Sequence, residues 1–150
     1  MTMDRYSYQG MFTGCANLVR GPELPATTLA ASCYANMFAN CRSLTTAPQL
    51  PATTLAGSCY GWMFENCTSL VQAPVLVAET LLDQSYRRMF NGCTKLNYIK
   101  CLALTMASNS CETWVGSVAS SGTFIKSGNK NDWPTGVGGI PNNWTVQNAT

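Results

Sequence analysis

The sequence predicts an α/β solenoid: short parallel strands on one face, short helices on the other, and a Trp/Gly-rich segment capping the C-terminal end. Three observations predict it. First, the dipeptide Met-Phe recurs at Met11-Phe12, Met37-Phe38, Met63-Phe64 and Met89-Phe90, always 26 residues apart. Tyr8, Tyr34, Tyr60 and Tyr86 keep that step, as do Cys15, Cys41, Cys67 and Cys93. A fixed period of this length marks a stacked-repeat architecture. Second, Leu55, Cys59 and Met63 fall at i, i+4 and i+8 beside Tyr60 and Phe64. That is an apolar stripe wide enough for a short helix. Third, Leu44, Ala47 and Leu50 stand at three-residue steps, which suits a short strand running into a corner.

The stripe predicts helices near 29–38, 55–64 and 81–90, and the same element over Met3 to Phe12. Thr53 and Thr54 offer an N-cap oxygen. The column Gly14, Asn40, Asn66, Gly92 holds only residues comfortable at positive φ, which reads as a left-handed helix C-cap. The strand segments follow Leu18, Leu44, Leu70 and Leu96. Pro22, Pro48 and Pro74 share one column and cannot donate to a ladder, so the strands should end before them. Lys100 replaces that proline in the fourth unit, so Ile99 to Leu104 could form a longer strand. One unit alone buries nothing; stacking makes the core continuous, as in solenoids of the leucine-rich-repeat type.

The chain therefore divides into a solenoid over 1–104 and a capping segment over 105–150. The solenoid has a partial first unit at 1–10 and units starting at 11, 37, 63 and 89. Cys111, 26 residues past Ser85, keeps the frame, and Trp114-Val115 replaces Met-Phe. Trp114, Phe124, Trp133, Ile140 and Trp144 should close the C-terminal end; a Trp-lined ligand site is the alternative. The N-terminal end starts within a unit. Met3, Tyr8, Met11 and Phe12 should expose apolar edges there, which predicts self-association through the N-terminal end or an upstream domain as partner.

Composition narrows the function. Apolar residues make up 46% of the chain, enough for a core, while charged residues are only 11%. The net charge of +2 comes from scattered Lys and Arg with no basic run, so no nucleic-acid partner is expected. No apolar stretch is long enough for membrane insertion. Histidine is absent, which removes the commonest general base and metal ligand. The seven carboxylates fall in different columns and form no pair. There is no Cys-x-x-Cys, so no metal is expected, and no cofactor motif is visible. The chain reads as a non-enzyme.

The motif Met-Phe-x-[Gly/Asn]-Cys-x-x-Leu, followed by Pro-Ala-Thr-Thr-Leu-Ala at Pro25 and Pro51, resembles the BspA-like leucine-rich repeats of bacterial surface proteins. The ending from Trp114 through Gly122-Thr123-Phe124 to Gly139-Ile140-Pro141 and Trp144-Thr145-Val146 is similar to the tails of such proteins. The resemblance implies a cell-surface or extracellular module, part of a longer exported protein, that binds a host or cell-surface protein. The sequons at Asn66, Asn143 and Asn148 read, in a bacterial setting, as turn residues.

Seven of the eight cysteines occupy two repeating columns. They fit best as small inward hydrophobes, although stacked neighbours in one column could reach bridging distance. Ser85 in the column of Cys33 and Cys59 argues for size over bonding. Binding residues should lie where columns vary, because packing does not hold those positions constant. Arg20, Thr46, Gln72 and Tyr98 form one varied column on the strand face, and Val19, Thr45, Val71 and Asn97 another. Arg20, Thr46, Gln72, Tyr98, Thr45 and Asn97 are the candidate binding face for adhesion or protein docking; plain solvated surface is the alternative reading. A structural spacer within a longer surface protein is the competing function.

Overall fold

Across the segments where helices are expected, every fourth residue lies at positive φ. The set is Tyr6, Gly10, Gly14; Ser32, Asn36, Asn40; Ser58, Trp62, Asn66; and Gln84, Arg88, Gly92. No α-helix accommodates that pattern, because a left-handed residue breaks the ladder each time it occurs. The computed structural model describes residues 3–150 and contains no helix among them. The α/β class is therefore corrected. The helices expected at 3–12, 29–38, 55–64 and 81–90 are ribbons of overlapping turns, and the chain stacks turns and short parallel strands.

Backbone accounting explains why the ribbon holds. Alternate amides close local turns: Ala35 donates to Ser32 C=O, Met37 to Tyr34 and Ala39 to Asn36. The amides between them leave the unit: Tyr34 donates to Cys59 C=O, Asn36 to Gly61 and Phe38 to Met63, at 2.9–3.0 Å. Each ribbon thus spends half its donors on itself and half on the next unit, leaving few orphaned groups in a buried layer. The apolar columns then stack directly. Phe12, Phe38, Phe64 and Phe90 lie 5.5–5.7 Å apart with nearly parallel rings. Tyr8, Tyr34 and Tyr60 form a second stack.

The C-cap column does take positive φ, at 73° for Gly14, 61° for Asn40, 58° for Asn66 and 80° for Gly92, but it ends a ribbon and not a helix. Asn66 Nδ2 donates to Asn40 Oδ1 at 3.0 Å. The asparagine ladder ends at Gly92, where the Asn66 side-chain amide occupies the space a Cβ would take and the positive φ suits glycine. The Thr pair is no N-cap: Thr54 bridges Thr28 in a parallel ladder.

Strands are short, and the proline column sets their length. Parallel contact is a single bridge at Arg20↔Thr46 and again at Gln72↔Tyr98, each two residues before a proline position or its replacement. The longer β strands appear where Lys100 replaces proline. β1 (Thr80–Leu81) pairs with β3 (Thr105–Met106), while β2 (Tyr98–Cys101), β4 (Thr123–Lys126) and β5 (Thr145–Asn148) form a three-stranded parallel sheet in the order β2-β4-β5. Stacking thus runs on past residue 104.

One register differs from the sequence reading. Gln72 pairs with Tyr98, 26 residues on, but Leu76 pairs with Cys101, 25 on. A residue is lost around Lys100, and the fifth ribbon is shifted: Tyr86 donates to Ser110 C=O where Tyr60 donates to Ser85. Ser110, not Cys111, therefore continues the Ser85 column, and Cys111 falls in the Tyr column. Trp114-Val115 sits in the Met-Phe columns. Trp114 stacks on Tyr86 and on Trp133, and its Nε1 donates to Gly139 C=O at 2.8 Å. Trp114, Phe124, Trp133, Ile140 and Trp144 are all buried.

Candidate functional site

The single-bridge ladder brings the varied columns onto one face. Arg20, Thr45, Thr46, Gln72 and Asn97 are exposed and Tyr98 is half-buried. Ladder hydrogen bonds fix two of the unit-to-unit steps, since Thr45 and Thr46 both donate to Val19 C=O and Asn97 donates to Val71 C=O; between Thr46 and Gln72 the step is held by the ribbons, where Phe38 donates to Met63 C=O. Val19 and Val71 are exposed in the same rows, so the face mixes polar and apolar contact area. All six residues predicted from the sequence lie on this one face. β4 and β5 extend it, with Thr123 opposite Tyr98 and Thr145 opposite Thr123.

Beside the face lies a groove of about 550 Å³ that the sequence reading missed. Arg20 and Thr46 reach it from the ladder, and Pro22, Pro48, Glu23 and Gln49 line its corner side. The groove exists because two successive corners, each stiffened by prolines, stand apart where no ladder can close them. No residue column announces such a space; it arises between units.

A second group also went unread. Trp62 holds φ 55°, a costly conformation for a bulky residue, in a column otherwise occupied by Gly10, Asn36 and Arg88. Arg87 lies 5.2 Å over its ring and 3.4 Å from Glu112, and Arg88 pairs with Glu65 at 2.7 Å. The Gly and Asn in that column were the available signal. These pairs tie neighbouring ribbons together at the surface.

The thiols are structural. All eight are free; seven are buried and Cys15 is exposed. Cys41, Cys67 and Cys93 each donate S–H to a phenylalanine carbonyl of the preceding unit, at 3.0–3.1 Å. Burial pushes Cys59, Cys67 and Cys101 up to about 12, and raises Cys93 and Cys111 well above the ordinary thiol value. Such thiols stay protonated at neutral pH and cannot serve as nucleophiles. The Ser85 hydroxyl is buried without a partner, consistent with a column selected for size. Among the described residues no cluster of three His, Cys, Asp or Glu side chains is placed to hold a metal ion. No family model, curated protein or solved structure matches this chain.

Proposed function

We propose that the chain is a non-enzymatic binding module that docks a protein partner on its ladder face, as part of an exported cell-surface protein. One observation carries this reading. Interior columns repeat their residues, whereas the ladder column runs Arg20, Thr46, Gln72, Tyr98, the first three exposed and the last half-buried, beside a groove. Packing does not dictate those residues, and Arg and Tyr are the types that anchor protein interfaces. The resemblance of the Met-Phe and Pro-Ala-Thr-Thr motifs to bacterial surface repeats supports the cellular setting.

The test is capture of host extracellular-matrix and serum proteins by immobilised native chain, with denatured chain as the control. A variant carrying Arg20→Ala, Gln72→Ala and Tyr98→Ala should lose at least about tenfold in capture, since hot-spot truncations each cost more than ~1 kcal/mol. Capture that survives the triple substitution would place binding elsewhere. No native-specific capture at all would favour the spacer role.

A further inference from the structure

The outer face of the first unit differs from every internal junction in one respect: among the described residues no ribbon is stacked on it. At each internal junction the upstream ribbon supplies N–H donors and the downstream ribbon accepts on alternate carbonyls. Ala31, Cys33, Ala35, Met37 and Ala39 all accept in this way from the first ribbon. The equivalent carbonyls of the first ribbon, on Arg5, Ser7, Gln9, Met11 and Thr13, have no donor among the described residues.

The side chains tell the same story. This ribbon carries interior residues at an exterior surface: Met11 is 54% exposed where Met37 is 1%, and Cys15 is exposed where Cys41 is buried. A finished end of a stack would carry polar residues instead. The C-terminal end shows the contrast. There Val115 N–H is bound by Val137 C=O at 3.2 Å, and Trp133 covers Trp114.

We propose that the outer face of residues 3–18 is an acceptor face for one further unit of the same 26-residue type, and not for a second copy of this chain. The chemistry of the face decides the occupant. Two copies meeting face to face would oppose carbonyl rows with no donor between them. The tail of another copy is covered over its ribbon by Trp133, which stacks on Trp114, and the central amide of its donor row, Val115 N–H, is already bonded to Val137 C=O. A like unit presents a full row of amides at the matching two-residue spacing with nothing folded over it, as the first ribbon presents Tyr6, Tyr8, Gly10, Phe12 and Gly14 to the second. It would also place a Tyr over Tyr8 and a Phe over Phe12, continuing both stacks, and would offer its Phe carbonyl to the Cys15 S–H.

Cys15 reports on the face directly, because it should be the only thiol of the native chain that labels. A copy of residues 29–54 is joined ahead of Met3 in place of Met1 and Thr2, with Cys33→Ser and Cys41→Ser in the copy alone. In this full-length variant Cys15 labelling should slow by at least about tenfold, since a covered thiol reacts only through local opening, and the unfolding temperature should rise. A second variant, whose added unit also carries Met37→Ser and Phe38→Ser, should restore parental labelling. Parental labelling in the first variant, or unfolding below the parent's temperature, would overturn the proposal. So would concentration-dependent dimerisation of the parent that protects Cys15, because a second copy would then be the occupant.

Discussion

Raising the pH above 9 is expected to unfold this protein within about two pH units. Burial holds Cys59, Cys67 and Cys101 at about 12 in the folded chain, against an ordinary value of 9.0. Above pH 9 the unfolded chain releases those thiol protons while the folded chain keeps them. The unfolded state then binds fewer protons, so stability falls as pH rises. It is fully present below 9 and drains until about 12, where the folded thiols would ionise themselves. Each such thiol removes about 1.4 kcal/mol per pH unit, so the three together remove ~4 kcal/mol per unit. Burial also raises Cys93, Cys111, Tyr60 and Tyr86, which steepens the loss. A domain with about 5–15 kcal/mol of stability cannot withstand that slope for long. Tryptophan fluorescence followed against pH under reducing conditions reads the transition. A chain still native near pH 12 would mean the thiol columns are not buried as described.

Phe64→Ala should be the most damaging single truncation in the aromatic stack. Phe64 is fully buried and lies 5.6 Å from Phe38 and 5.7 Å from Phe90, so its removal opens a void between two units at once. The expected loss is about 3–5 kcal/mol, the range for buried phenylalanine truncations. Phe12→Ala should cost distinctly less, because Phe12 is only half-buried and has one stacking neighbour. Urea midpoints of the two variants would show the difference. Equal losses would mean the stack is closed at its N-terminal end, and a loss under ~1 kcal/mol at Phe64 would mean the column is not stacked.

The period, the aromatic column, the thiol columns apart from Cys111 and the exposed Cys15, the shortness of the strands and the ladder face were legible in the sequence. They follow from packing between units, which the 26-residue repeat prints directly. The path of the chain within each unit was not. Apolar residues at i, i+4 and i+8 over about ten residues fit an α-helix of period 3.6 and a turn ribbon of period four almost equally well. What separates them is Ser32-Asn36-Asn40, a run of turn-forming residues on the ribbon's outer edge. Only its last member was read as left-handed. Trp62 and Arg88 obscure the same column in later units, since neither favours positive φ. The one-residue loss near Lys100 was hidden because the Pro-to-Lys change looked like a substitution within an unbroken frame. The groove was invisible for another reason: it lies between two corners and belongs to no single unit.

Far-UV circular dichroism separates the two possible chain paths, because turn ribbons and helices built on the same apolar stripe absorb differently. The native chain should lack the paired minima of α-helix and show only weak strand and turn signal with an aromatic contribution. A helical double minimum, lost together with the tryptophan fluorescence transition on unfolding and sized for segments 29–38, 55–64 and 81–90, would contradict the account.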